Sequence, residues 1–295
     1  MPSQEFLHRK GSVWERYDFF GKPFAQARAD MEAMAIEDVK PYDDVTWEPG
    51  AAGNISGKWV RPAHPTGDLI YYIHGGGFTH GSSGIPLPFL LELSHRTGVT
   101  CFSADYRLAP EHVFPAAPED AFAGYRALLA LGYAPERIIV CGESAGATLS
   151  LDVALMAKQA GVPAPKGIIA LSPVTDAAQT PDGTVLEGLA PPDEVFSVYA
   201  PNHPTTDPLI SPARGDLAGF PDVFLSAGGS EILLQDALIF AAAAAKAGAD
   251  VRLHVGREMI HTYPLDLWDY PEAMTAFEEI ELFIRQHFAD AESGA

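Results

Sequence analysis

The stretch RIIVCGESAGATLSLDVALMAKQAG, Arg137 to Gly161, sets a polar Glu-Ser pair between glycines where one residue pattern gives way to another. Ahead of Ser144 run Ile138, Ile139, Val140 and Cys141, a short continuous apolar run of the kind a buried strand shows. Beyond it, small and aliphatic residues recur with helical spacing. The stretch therefore reads as a strand, a sharp turn and an amphipathic helix, with Ser144 at the hinge. Such a turn places its central residue in a strained backbone conformation and exposes the hydroxyl. Bulky side chains at 142 and 146 would collide with neighbouring backbone, which accounts for the flanking glycines.

Working outward, strands and helices alternate from about Asp68 onward. The β-rich runs are LIYYIHG, GVTCFSADY, RIIVCGE, KGIIALSP, DVFLSAGG and ADVRLHVG. Helical patterns lie between them, over roughly 86–97, 118–132, 145–161, 231–248 and 271–287. Near-continuous apolar strands alternating with helices predict an α/β fold, a mainly parallel sheet covered on both faces. DVTWEP and GKWVRP are expected to add antiparallel edge strands. Two regions break the alternation. Residues 1 to about 40 read as a helix-rich arm, and residues about 177–210 are rich in Pro, Asp, Thr and Gly. Long insertions in a compact domain are usually functional, so both are read as a cap over the C-terminal edge of the sheet, where ligands bind in such folds.

Composition narrows the function. The 295 residues are 47% hydrophobic, enough for a sizeable core. A formal net charge of -20 argues against nucleic acid or an anionic membrane as partner. Cys101 and Cys141 lie in apolar runs and read as buried core thiols, not as a disulfide or a metal pair. The opening residues have no apolar signal-peptide core and no run reaches the ~20 apolar residues of a membrane span, so the expected compartment is the cytoplasm.

The chemistry begins at Ser144. Gly142-Glu143-Ser144-Ala145-Gly146 matches G-x-S-x-G, and a strand-turn-helix context is what turns that pentapeptide into a nucleophile elbow. The alternative is a glycine-rich turn with an incidental serine. A second signal is His74-Gly75-Gly76-Gly77-Phe78, directly after LIYYI. Three glycines there let backbone N–H groups turn inward and stabilise an oxyanion. A phosphate cradle is disfavoured, because no lysine follows and the spacing is not G-x-G-x-x-G.

HGGGF, DYRLAPEHVFPAAPED and GESAG stand in the order and spacing of the bacterial hormone-sensitive-lipase family of α/β-hydrolases, and the chain resembles that family through LSPVTDA, DPLISP, GGSEILLQDA and MIHTYP. The resemblance covers roughly residues 65–290. It implies an α/β-hydrolase fold with a mainly parallel eight-stranded sheet, flanking helices and a helical cap. The implied division is an N-terminal cap arm over 1–45, a catalytic domain over 46–176 and 211–295, and a cap insertion over 177–210.

Chain order in this fold is Ser, then Asp or Glu, then His. His261 in EMIHTYP follows the last strand in a loop that could reach Ser144. GGSEILLQD offers Glu231 and Asp236 as the acid. Glu231 lies just beyond a strand end, where a triad acid belongs, and is preferred. Asp236 is expected further into the helix, facing its N-terminal side or solvent. The resemblance implies that amides of Gly76, Gly77 and Ala145 form the oxyanion hole and that His74 holds that loop. Glu143 stands where the family more often has Asp and reads as a structural carboxylate. Asp105, Arg107 and Glu111 are expected to brace the loop behind the glycines. Phe19, Phe20, Phe24, Phe78, Phe196 and Tyr199 are candidates for pocket walls or ordinary cap core.

These readings predict a serine carboxylesterase acting on short- to medium-chain esters through an acyl-enzyme, with no metal or organic cofactor. A lactone hydrolase with the same triad is a close variant, lactones being cyclic esters. A non-catalytic small-molecule receptor on the same fold is the alternative from another class, and retention of Ser144, Glu231 and His261 together weighs against it. An epoxide or haloalkane hydrolase would need aspartate at the elbow. The oligomeric state stays open, a homodimer among the options.

Overall fold

A computed structural model of the protein describes residues 2–8, 22–37, 39–179 and 192–293. Phe19, Phe20 and residues 180–191 of the expected cap insertion lie outside that set.

The strands are β1 (Val45–Ala52), β2 (Ile55–Pro62), β3 (Leu69–Ile73), β4 (Thr100–Ala104), β5 (Ile138–Glu143), β6 (Gly167–Leu171), β7 (Asp222–Gly228) and β8 (Val251–Gly256). They form one eight-stranded sheet in the order β1-β2-β4-β3-β5-β6-β7-β8. The β1–β2 and β2–β4 pairs are antiparallel, and every pair from β4 to β8 is parallel. The two antiparallel strands are those expected from DVTWEP and GKWVRP. The helices are α1 (Phe24–Glu37), α2 (Leu87–Thr97), α3 (Ala116–Ala130), α4 (Ala145–Ala160), α5 (Pro192–Tyr199), α6 (Leu234–Lys246) and α7 (Pro271–Ser293).

Why the strands read as unbroken apolar runs is plain from the layers. Successive side chains point to opposite faces, and both faces are covered. Tyr71, Ile73, Val140, Ile168 and Leu225 enter one core with Tyr125 and Leu128 of α3, Leu149 and Val153 of α4 and Phe240 of α6. Ile70, Tyr72, Ile139, Cys141, Ile169 and Phe224 enter the other with Leu90 and Leu93 of α2 and Phe277, Ile280 and Phe283 of α7. Cys101 and Cys141 are buried free thiols in this second core, and burial pushes both well above the ordinary thiol range.

All crossovers between parallel strands leave the strand C-termini along one edge, and the candidate site lies there. The N-terminal segment is anchored to the same end. Arg28 of α1 donates from Nε to Thr79 O at 2.8 Å and from a terminal nitrogen to Ala109 O at 2.8 Å, and pairs with Glu111 at 2.9 Å. Lys58 of β2 meets Glu32 of α1 at 2.6 Å. None of the described helices is long and apolar enough to cross a membrane.

The packing leaves no slack under β3. A Cβ built on Gly124 of α3 would lie 2.2 Å from Tyr71 Oη, which donates to Ala121 O at 3.0 Å. Gly124→Ala must displace that ring and break its hydrogen bond. We expect a loss of about 1–3 kcal/mol in urea unfolding at unchanged m-value, the usual range for an overpacked core.

Candidate active site

Ser144 connects β5 to α4 with φ 53° and ψ −122°, a region that non-glycine residues seldom enter without compensation. Three contacts over-determine it. Its N–H donates to Leu171 O at 2.8 Å, its carbonyl accepts from Thr148 N at 3.2 Å, and the flanking glycines stack backbone on backbone. A Cβ on Gly146 would lie 2.0 Å from Ile73 O and 2.4 Å from His74 O; one on Gly142 would lie 2.4 Å from Gly146 O. No side chain fits at either place. The serine thus stands half-buried at the N-terminus of a 16-residue helix, whose dipole favours negative charge.

The glycine loop after β3 lies directly on this elbow. A Cβ on Gly75 would be 3.1 Å from Ser144 Cβ. Gly76, Gly77 and Phe78 have φ of 112°, 60° and 60°, and Gly76 O accepts from Thr79 N and His80 N at 3.2 and 2.9 Å. Those left-handed residues reverse the chain in a tight turn. His74 supports it from below, buried, with Nδ1 donating to Gly75 O at 2.7 Å and its ring stacked on Tyr106 at 4.3 Å. Tyr106 Oη donates to His74 O at 3.0 Å. Burial holds His74 below the ordinary imidazole range, so it stays neutral and keeps this tautomer. The expected polar brace is three separate anchors: Asp105 holds Ser83, Arg107 holds Asp120 and Glu111 holds Arg28.

Glu231 follows β7 and is buried. Its Oε2 accepts from His261 Nδ1 at 3.1 Å and from Ser172 Oγ at 2.9 Å. Ser172 Oγ in turn accepts the Thr262 N–H at 3.0 Å. Ser172 continues β6 with φ 53° and is tied to β7 through its own N–H to Ser226 O at 2.7 Å. One hydroxyl therefore joins the acid to the loop that carries His261. Leu171 pairs with Glu143 in the sheet, so Ser172 and Ser144 leave adjacent strands side by side. His261 is close enough to favour the charged form of Glu143, against the larger effect of burial. The arrangement brings Ser144, Glu231 and His261 to one end of four strands.

Asp236, expected to face the N-terminal side of its helix or solvent, is buried from solvent. It is buried in the first turn of α6, where Oδ1 accepts from Thr175 N at 2.7 Å and Asp176 N at 2.9 Å. Burial pushes its carboxyl up to about 6. It pins the loop after β6. Ser172 is the functional residue that the sequence reading did not single out, although LSPVTDA, with a serine at a strand end before proline, carried the signal. Among the described residues, no group of three or more His, Cys, Asp or Glu could hold a metal ion.

The aromatic residues divide. Phe78 stacks on Tyr199 of α5 at 3.8 Å and 6°, with Phe196 at 6.0 Å from Phe78. All three are buried and pack α5 onto the residue after the glycine loop. Phe24 lies 5.1 Å from the His80 ring. Val195 of α5 is the side chain nearest to the space above Gly77, with Cγ1 3.7 Å from a Cβ built there.

Ser172→Ala keeps the acid and imidazole but frees the Thr262 amide and one side of Glu231. The expected outcome is a fall in kcat of about tenfold, the worth of one hydrogen bond to a charged group, with KM nearly unchanged. Steady-state kinetics on a p-nitrophenyl ester check it.

Comparison with known proteins agrees with this geometry. A family model described as the alpha/beta hydrolase fold matches residues 70–265. An acetyl-hydrolase of Streptomyces hygroscopicus is 34% identical over 262 residues, 86% of either chain. An esterase of Acinetobacter venetianus is 33% identical over 240 residues, 78% of either chain. A crystal structure of an esterase from the bacterial hormone-sensitive lipase family superposes with a TM-score of 0.89 at 30% identity, over 98% of this chain and 99% of that one. A hormone-sensitive lipase from a metagenome library gives 0.89 at 32% identity over the same shares. On the family model, the curated relatives and the solved structures together, the chain belongs to the bacterial hormone-sensitive-lipase family of α/β-hydrolases.

Proposed function

We propose that the protein is a serine carboxylesterase with Ser144 as nucleophile, His261 as general base and acid, and Glu231 as the residue that orients the imidazole. The observation that carries this reading is the Glu231–His261 bond, made at the strand ends beside a serine held at positive φ against a glycine loop.

A serine hydroxyl is a poor nucleophile until a base takes its proton. His261 carries its ring proton on Nδ1, because Glu231 Oε2 accepts there, which leaves Nε2 free to accept the Ser144 proton. Attack of Oγ on the ester carbonyl gives a tetrahedral oxyanion. The amides of Gly76, Gly77 and Ala145 receive it, at the positive end of α4. The imidazolium, stabilised by Glu231, protonates the leaving alcohol. Water then repeats the sequence on the acyl-enzyme and restores Ser144. Each step is acid–base and electrostatic chemistry among the chain's own groups.

Short- to medium-chain esters fit the surroundings. The N-terminal segment (1–45) and the insertion (177–210) form the cap in this reading, and Val195, Phe196 and Tyr199 bring its α5 down over Gly77 and Phe78. The acetyl-hydrolase name of the Streptomyces relative points to small acyl groups as well. A receptor role is not favoured, since the catalytic histidine is present and bonded to its acid.

Four measurements test this. A panel of p-nitrophenyl acetate, butyrate and decanoate with simple lactones should be turned over by the wild type, shorter chains faster than decanoate. Ser144→Ala should lose at least about 10³-fold in kcat; equal turnover by both proteins defeats the reading, and turnover of lactones alone moves it to the lactone variant. Glu231→Gln should cost about 10²–10⁴ in kcat by upsetting the imidazole tautomer, whereas Asp236→Asn should lower the melting temperature and leave kcat within about fivefold. Val195→Ala should widen the space over Gly77, raising kcat/KM for decanoate relative to acetate by about 10-fold, the worth of one to two methylenes in an apolar pocket.

A further inference from the structure

Glu143 was expected to be a plain structural carboxylate. It is the last residue of β5 and 5% exposed. Its Oε1 accepts the Gly75 N–H at 2.7 Å. Its Oε2 is buried beside Tyr72 Oη, each without a hydrogen-bond partner in good geometry. The two residues therefore meet twice, through this bond and through the backbone: a Cβ on Gly75 would lie 2.8 Å from Glu143 O and 3.2 Å from Glu143 Cγ. Gly75 precedes the two glycines assigned to the oxyanion hole, and Glu143 precedes the nucleophile.

We propose that Glu143 is a positioning residue for the oxyanion hole, holding the 74–77 loop at its working distance from Ser144 by accepting the Gly75 N–H. The proposal rests on the esterase reading and deepens it.

The physical case has three parts. First, the Gly75 amide is buried and has no room to find another acceptor. Losing its partner leaves an unsatisfied donor, which a small shift of the loop toward solvent would relieve. Second, the shift falls on the next two residues, whose amides must lie within about 3 Å of an oxyanion to act. Third, the bond spans the elbow, so it fixes loop against nucleophile and not merely loop against sheet. The groups facing Glu143 are Tyr72 of β3, Tyr106 beside His74, Cys141 on its own strand and His261 of the triad. Burial pushes its carboxyl up to about 7. Either protonation state retains an oxygen to accept from Gly75.

Glutamine in place of Glu143 keeps that acceptor and can turn its NH₂ toward Tyr72 Oη. Leucine keeps the volume and removes the acceptor. We therefore expect Glu143→Gln to stay within about threefold of wild type in kcat. Glu143→Leu should lose about 10–100-fold in kcat with KM within about threefold, because a misplaced oxyanion donor is felt only in the transition state. Affinity for a trifluoromethyl ketone, which forms a tetrahedral adduct on the serine, should fall in parallel with kcat/KM. Exchange of the Gly75 amide hydrogen should speed up in the leucine variant and not in the glutamine one. If the leucine variant does not fold, Glu143→Asp withdraws the carboxylate by one methylene and should show the same pattern at smaller size. A variant without the acceptor that matches wild type in kcat and inhibitor affinity overturns the proposal. So does a glutamine variant as impaired as leucine, or a loss that falls on KM. Failure of the esterase reading shows itself separately, as a wild-type protein that turns over no ester.

Discussion

The site depends on backbone packed against backbone. Ile73 O and His74 O lie so close to the α-carbon of Gly146 that a single Cβ would overlap both, and Gly75 lies in the same way on Ser144 and Glu143. This contact fuses the end of β3, the end of β5 and the first turn of α4 into one unit. It brings three amide-bearing segments to within a few ångströms without any side chain between them. The strain at Ser144 persists because its N–H, its carbonyl and both flanking glycines are each held by a neighbour; loosening any one would let φ relax and withdraw the hydroxyl.

The acid half of the site uses a different device. Glu231, Ser172 and the His261–Thr262 loop belong to three strand ends, and side-chain hydrogen bonds knit them: a serine hydroxyl that donates to the carboxylate and accepts from the histidine loop's backbone. Both bonds converge on Oε2, while Oε1 is buried without a partner. A glutamate reaches one methylene further than an aspartate, so Ser172 does work that a shorter acid would do by its own stiffness. Its positive φ is part of this arrangement, because an extended residue at that position would aim the hydroxyl elsewhere.

How much of this a reader could take from the residues follows from what each signal encodes. The sheet was legible because strands covered on both faces must be apolar throughout, and LIYYI, IIVC and GIIAL are. The elbow and the glycine loop were legible because close backbone approach leaves a mark, glycine, that substitution cannot disguise. That Glu231 and His261 would lie together was legible from order and strand-end position. Asp236 was misjudged because helical spacing gives the face of a residue but not what lies across from it; the Thr175 and Asp176 amides come from a loop 60 residues away in sequence. Ser172 and Glu143 escaped for the same reason. Their roles are contacts with distant backbone, and a serine or glutamate in a motif looks alike whether it bonds to solvent or to an amide across the sheet.

In the proposed esterase, two carboxylates, Glu143 and Glu231, lie near the imidazole of a site that must also stabilise an anion. Both would oppose the oxyanion if they acted on it equally. Geometry separates the effects. Glu231 stands behind His261 on the Nδ1 side, which in the proposed mechanism puts the ring between it and the reacting carbonyl. Glu143 is turned under the glycine loop, with the Gly75 amide dipole directed at it, and burial pushes its carboxyl up to about 7, which reduces its charge near neutral pH. In the proposed mechanism the oxyanion then faces the glycine-loop amides and the positive end of α4. A net charge of -20 on the chain is compatible with anionic chemistry at Ser144 because what the reacting atoms feel is the ordering of nearby dipoles, not the total.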